Sequence, residues 1–214
     1  MAWGMHTMDT QTDTPAGGLF SPAAARNTDV ILASLAGHLP ATGSVLEIAA
    51  GSGQHAAAAA RAFSGLNWQA SDPSPEALNS IQAWRTEQNL PNMAEPLQLD
   101  MTDAATWPDQ TYDAIVCINM IHISPWSATE GLMALAQKAL PLGGLLYLYG
   151  PYKEADVPLA ASNAAFDESL KSRDPAWGLR DADDVIALAK AHGLRFTRRS
   201  AMPANNFSLM FRRF

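Results

Sequence analysis

Residues 45–56 read VLEIAAGSGQHA, and this stretch decides the fold. A short apolar run leads through an acid into small residues and two glycines, and a helix-forming sequence follows. This order predicts a strand, a tight turn and a helix N-terminus in direct succession. Because glycine has no Cβ, a ligand can lie directly against the backbone N–H groups of such a turn. The positive end of the helix dipole then favours an anionic group on that ligand.

Strand and helix signals alternate on both sides of the turn. Strands are predicted at 44–48, 66–71, 96–99, 112–119 and 145–149, with helices opening at 22, 54, 75, 127 and 181. This alternation predicts an α/β protein with a doubly wound, mostly parallel sheet. Two further strand-like runs, 195–200 and 207–212, have no room for a helix between them. The sheet is therefore expected to have seven strands and an antiparallel last strand.

The composition favours one globular domain, predicted at residues 20–214, after a flexible N-terminal tail at residues 1–19. A net charge of −7 argues against a nucleic-acid partner. The single cysteine, Cys117, rules out an internal disulfide, and no apolar run has transmembrane length. We therefore expect a cytoplasmic protein with no membrane partner, whose oligomeric state is open.

Two ligand classes compete for the turn. Gly51, Gly53 and Ala56 satisfy the dinucleotide-binding pattern, and Asp72 follows where that pattern places its acid. Glu47, however, stands just before the glycines, where it would repel a pyrophosphate. The resulting pattern E-x-x-x-G-x-G resembles the first motif of Rossmann-like, class I S-adenosylmethionine-dependent methyltransferases. Their cofactor has no pyrophosphate, so an acid beside the turn is acceptable.

Six short segments narrow this resemblance. They are FSPAAARN at 20–27, LEIAAGSGQH at 46–55, WQASDP at 68–73, NMIHISPW at 119–126, WGLRD at 177–181 and MPANN at 202–206. Together they resemble a methyltransferase-like family catalogued as a domain of unknown function, with a human member named only as methyltransferase-like. The resemblance implies a Rossmann-like methyltransferase fold and S-adenosylmethionine as cofactor, but no particular acceptor. Ala49 departs from the broader class, which often has the first glycine of the turn there.

The predicted cofactor-binding residues cluster at strand ends and helix starts. Asp72 can accept hydrogen bonds from two ribose hydroxyls, although a helix-capping role is the alternative. Asp100 can accept from the adenine amino group, or simply form a turn. Arg26 can pair with the methionine carboxylate, or with a surface acid. The full predicted set is Arg26, Glu47, Ala49, Gly51, Ser52, Gly53, His55, Asp72, Pro73, Asp100, Met101 and Asn119.

Three residues are predicted on the acceptor side, namely His122, Tyr152 and Asn206. His122 follows a buried strand, so it is expected at the carboxyl edge of the sheet as a general base, or as a brace for its loop. Methyl transfer can also proceed without a base when the nucleophile is held in line. The long connection 150–178 is expected to contain a helix and to cover the acceptor pocket. The histidines show no metal-ligand spacing, so no metal is expected.

The sequence thus predicts methyl transfer from S-adenosylmethionine to a small-molecule acceptor. One alternative is a non-catalytic S-adenosylmethionine-binding partner protein, which would show the same cofactor motif. The other is an NAD(P)-dependent oxidoreductase. Glu47 and the antiparallel last strand disfavour that second alternative.

Overall fold

A computed structural model describes residues 12–14 and 17–214. Its strands are β1 (Thr12–Asp13), β2 (Leu19–Phe20), β3 (Gly43–Ile48), β4 (Leu66–Asp72), β5 (Leu97–Gln98), β6 (Ala114–Ile118), β7 (Leu145–Gly150), β8 (Leu194–Met202) and β9 (Asn206–Arg213). Its α-helices are α1 (Pro22–Ala36), α2 (Gln54–Ala62), α3 (Pro75–Glu87), α4 (Trp126–Ala139), α5 (Ala161–Arg173) and α6 (Ala182–Ala191). Short 3₁₀ turns lie at Ala104–Thr106 and Ile121–Ile123.

Seven of these strands form one sheet, in the order β5-β4-β3-β6-β7-β9-β8. The strands from β5 to β7 are parallel to their neighbours, whereas β9 runs antiparallel to both β7 and β8. The prediction of a doubly wound, mostly parallel sheet with an antiparallel last strand is confirmed. The chain leaves β3 toward β4 on one side and later returns to β6 on the other. This reversal creates the crevice at the carboxyl ends of the strands where open α/β sheets bind ligands.

Apolar side chains cover both faces of the sheet. Leu46, Ile115 and Leu148 belong to a buried cluster that includes residues of α4 and α6. Val45 and Val116 belong to a second cluster, with residues of α1, α2 and α3. Every residue of β6 and β7 is buried, as expected of central strands covered by helices on both faces.

Part of the N-terminal segment predicted as a flexible tail forms a short β-ribbon in the described residues. β1 pairs antiparallel with β2, and this ribbon packs beside α3. The Leu19 N–H donates to Ser80 Oγ at 2.7 Å, and Trp84 Nε1 donates to the Leu19 carbonyl at 3.0 Å. These hydrogen bonds hold the ribbon in place. The rest of the predicted tail, residues 1–11 and 15–16, lies outside the described residues.

Candidate functional site

A cavity of about 670 Å³ lies at the carboxyl edge of the sheet, within the size range of ligand pockets. The ends of β3, β4, β6 and β7 form its floor, while the start of α1, the helix α5 and the β8–β9 turn form its walls. Its lining comprises Ser21, Ala23, Ala24, Arg26, Asn27, Glu47, Ala49, Ala50, Gly51, Ser52, His55, Asp72, Ile118, Asn119, Met120, His122, Ile123, Tyr149, Pro151, Ser162, Asn163, Phe166, Pro203, Ala204 and Asn206.

The turn after β3 needs left-handed backbone at three places. Ala49, Gly51 and Gly53 have φ values of 54°, 56° and 83°. A Cβ added to Gly51 would meet only open space, whereas one added to Gly53 would lie 2.9 Å from the Ile81 Cα. Gly51 therefore keeps the cavity wall open, and Gly53 allows α2 to approach α3. Ala49 adopts the same left-handed backbone conformation although it has a Cβ, and the Cβ makes this conformation sterically costly.

The Asp72 carboxylate fastens this turn to the end of β4. Its Oδ2 accepts the Gly51 N–H at 3.0 Å, and its Oδ1 accepts the Ser74 N–H at 2.9 Å. Burial raises the pKa of Asp72 to about 6, although these two hydrogen bonds act in the opposite direction. An ionised carboxylate has about four acceptor positions, so the group can accept two further donors from a ligand.

Glu47 is a second buried carboxyl in the cavity wall. It is 1% exposed, and its Oε2 accepts the Trp68 indole N–H at 2.7 Å. Burial raises the pKa of Glu47 from its ordinary value of 4.5 to about 7. A cationic ligand group placed nearby would favour the ionised form.

Hydrogen bonds attach α1 to the helix that follows the turn. The Ser21 N–H donates to Gln54 Oε1, and His55 Nε2 lies 2.8 Å from Asn27 Oδ1. Asn27 is also hydrogen-bonded to the Tyr149 side chain. Burial lowers the pKa of His55 to about 4, so its ring is neutral at pH 7. Because the amide oxygen of Asn27 only accepts, Nε2 carries the His55 proton.

His122 also lines the cavity, on the 3₁₀ turn Ile121–Ile123. It is 5% exposed, and its ring meets Phe166 edge to face at a centroid distance of 5.5 Å. Burial, with a smaller effect from Arg180, lowers the pKa of His122 to about 3. The Gly178 N–H donates to the His122 carbonyl at 3.0 Å, which fixes the turn. His122 is therefore a neutral imidazole in a wall of the cavity.

The fold brings most of the predicted site residues to this one cavity. Those that line it are Arg26, Glu47, Ala49, Gly51, Ser52, His55, Asp72 and Asn119 from the predicted cofactor set, with His122 and Asn206 from the acceptor side.

Five predicted residues lie outside the cavity lining: Gly53, Pro73, Asp100, Met101 and Tyr152. Asp100 Oδ1 accepts from the N–H and the hydroxyl of Thr102, at 2.8 and 2.7 Å. Met101 and Tyr152 are buried in the apolar cluster that contains Cys117. Burial raises the pKa of Tyr152, which keeps its hydroxyl protonated.

Several residues of the acceptor-side wall were not predicted from the sequence. Ser162 and Asn163 come from α5, and Pro203 and Ala204 come from the β8–β9 turn. Asn163 Nδ2 donates to the Asn205 carbonyl at 3.1 Å and so joins these two elements. The unusual length of the connection 150–178 signalled that α5 would cover a pocket, and the segment at 202–206, with Asn206, marked the β8–β9 turn.

Within residues 12–14 and 17–214, no group of three or more His, Cys, Asp or Glu side chains is placed to hold a metal ion. No helix in the same residues combines the length and the apolarity needed to cross a membrane.

The strand order and the antiparallel last strand define the class I methyltransferase fold, and solved structures agree. An O-methyltransferase family protein from Burkholderia thailandensis matches with a TM-score of 0.77 and 16% identity over 89% of this chain. The mitomycin 7-O-methyltransferase MmcR matches with a TM-score of 0.77 and 20% identity over 90% of this chain. CalO1, a methyltransferase in calicheamicin biosynthesis in its SAH-bound form, matches with a TM-score of 0.74 and 17% identity over 90% of this chain. This chain covers 57%, 54% and 54% of those three proteins, respectively.

The particular family follows from residues 19–213, which match the family described as "Protein of unknown function (DUF938)". The chain belongs to that family. Its description gives no activity, so function must be argued from the cavity.

Proposed function

We propose that this protein is an S-adenosylmethionine-dependent methyltransferase that acts on a small-molecule acceptor. The observation that carries the proposal is the pairing of an open glycine turn with a buried carboxylate in one cavity wall. Gly51 leaves space where a Cβ would project, and Asp72 lies against the same turn with acceptor positions to spare.

The polar groups at this end of the cavity suit the cofactor. Asp72 can accept from the two ribose hydroxyls, and Arg26 can pair with the methionine carboxylate. Glu47 supplies a negative charge that the ammonium and sulfonium groups would stabilise. Glu47 beside the turn would instead repel a dinucleotide pyrophosphate, which makes a nicotinamide cofactor the poorer fit.

When bound, S-adenosylmethionine supplies an electrophilic methyl group on a positively charged sulfur. The cavity walls would hold an acceptor in line with that group, and such positioning accounts for much of the acceleration in reactions of this kind. The neutral ring of His122 has one nitrogen with a free electron pair. That nitrogen can accept a hydrogen bond from the acceptor and take its proton once the acceptor becomes acidic during transfer.

Isothermal titration calorimetry with S-adenosylmethionine, S-adenosylhomocysteine and NADH tests the proposal. Both adenosyl ligands should bind, and NADH should not. Asp72→Asn should weaken the binding of both adenosyl ligands by about 10- to 100-fold, because a hydrogen bond to a charged acceptor contributes about 1.5–3 kcal/mol.

Asp113→Asn is the matched control. Asp113 also accepts a backbone N–H, from Ser44 at 2.8 Å, but it lies at the opposite edge of the sheet. The Asp113→Asn variant should be less stable than the wild type but should bind both adenosyl ligands with unchanged affinity. Tighter binding of NADH than of either adenosyl ligand would refute the proposal.

A further inference from the structure

Charged side chains are unevenly distributed along the cavity. Those in its lining are Glu47 and Asp72, at the ends of β3 and β4, and Arg26, at the start of α1. Another part of the lining is formed by the ends of β6 and β7, by α5 and by the β8–β9 turn. We call it the acceptor half. Among the described residues, its lining contains no Asp, Glu, Lys or Arg. Its principal residues are Met120, His122, Ile123, Asn163, Phe166 and Asn206.

Several polar groups of the acceptor half can accept a hydrogen bond. Asn206 Nδ2 donates to the carbonyls of Pro203 and Ala204, at 2.9 and 3.3 Å, and Asn163 Nδ2 uses one of its two N–H groups on the Asn205 carbonyl. Their amide oxygens remain, together with the unprotonated nitrogen of His122. Such a wall suits a ligand that donates hydrogen bonds and opposes one that carries negative charge.

The cations nearest to this half have other partners. Lys153 and Lys171 lie 3.2 and 2.6 Å from Asp167 Oδ2. Arg180 donates to the carbonyls of Ser124 and Ala176, at 2.9 and 2.6 Å. None of the three lines the cavity, so an anionic acceptor would find no counter-charge among these side chains.

We propose that the acceptor half takes an uncharged, mainly apolar molecule that donates a hydrogen bond from one hydroxyl, thiol or N–H group to His122. This inference rests on the proposed function, because it assigns the other half to the cofactor. A carboxylate or phosphate entering here would lose its hydration without gaining a cation, which costs several kcal/mol. A molecule without a proton to donate would leave the exposed acceptor atoms unpaired.

Three naphthalene derivatives of similar size test the inference by calorimetric titration into protein saturated with S-adenosylhomocysteine. They are 2-naphthol, 2-methoxynaphthalene, which lacks the donor, and 2-naphthoate, which is an anion. We expect 2-naphthol to bind at least about tenfold more tightly than either of the others, since a buried unpaired polar group costs about 1–3 kcal/mol. Equal or tighter binding of either competitor overturns the inference, and so does the absence of binding by all three.

A charge introduced into this half should reduce the selectivity. Ser162 is an exposed residue of α5 in the cavity lining, so Ser162→Lys should improve 2-naphthoate binding by about two- to fivefold, which is what an exposed ion pair contributes. Ser172 is exposed on the same helix but outside the lining, and Ser172→Lys should leave binding unchanged. An unchanged ratio of 2-naphthoate to 2-naphthol affinity in Ser162→Lys overturns the charge argument.

The two proposals fail in different ways. If S-adenosylhomocysteine does not bind, the proposed function fails and this inference falls with it. If S-adenosylhomocysteine binds and the naphthalene series shows the wrong order, only the acceptor class is refuted.

Discussion

Replacing Glu47 by glutamine should change how stability depends on pH. In the folded protein the pKa of Glu47 is about 7, against an ordinary value of 4.5. Below pH 4.5 the carboxyl is protonated in both states, so its ionisation has no effect on stability. Between pH 4.5 and 7 the unfolded chain loses the proton and the folded chain keeps it, so stability falls as the pH rises. Above pH 7 both states are ionised and the loss is complete.

The size of this loss follows from the two pKa values. A difference of one in pKa corresponds to about 1.4 kcal/mol, so this interval corresponds to about 3 kcal/mol. Glutamine cannot ionise, and its amide oxygen can still accept the Trp68 indole N–H. Any fixed cost of the buried amide is the same at every pH. The free energy of unfolding of Glu47→Gln, minus that of the wild type, should therefore rise by about 3 kcal/mol between pH 4.5 and 8.

Urea unfolding followed by circular dichroism measures this difference across the pH range. Asp72, His55 and His122 also titrate abnormally, but they are common to both proteins and cancel in the subtraction. Glu130→Gln, at an exposed position of α4, is the surface control. Parallel pH profiles for the wild type and Glu47→Gln would refute the argument that Glu47 is buried as a protonated acid.

Three further predictions concern the turn and the acceptor half. Ala49→Gly should change the free energy of unfolding by no more than about 1 kcal/mol, in the stabilising direction, because relief of left-handed strain exceeds the added chain entropy. In urea unfolding, Gly53→Ala should cost more than Gly51→Ala, by about 1–3 kcal/mol, since only the former places a Cβ against the Ile81 backbone; equal costs would contradict this. His122 should remain neutral above about pH 4 in NMR titrations, and His122→Asn should lose less stability than the wild type as the pH falls from 6.5 to 3.

The sequence was sufficient to predict the sheet because its signals are local. Continuous apolar runs marked β6 and β7, and the missing helix between residues 200 and 207 indicated the antiparallel strand. The same reasoning placed Asp72 and His122 correctly at the carboxyl edge, since residues that directly follow parallel strands meet there.

The acceptor half depends on contacts between residues that are distant in the chain, and the sequence did not predict them. Asn163 reaches the Asn205 carbonyl across 42 positions, which brings α5 against the β8–β9 turn. Tyr152 was expected in the cavity, but after Pro151 the chain turns into the core, and the side chain is buried there. Asp100 lies outside the cavity lining, and one oxygen of its carboxylate accepts from Thr102 two residues later. Neither placement could be read from spacing alone.

A co-crystal structure with S-adenosylhomocysteine tests the central claim most directly. We expect the nucleoside to lie on the turn at Gly51, with both ribose hydroxyls within hydrogen-bonding distance of the Asp72 carboxylate. A nucleoside bound elsewhere, or a saturated crystal with this cavity empty, would contradict the proposed function.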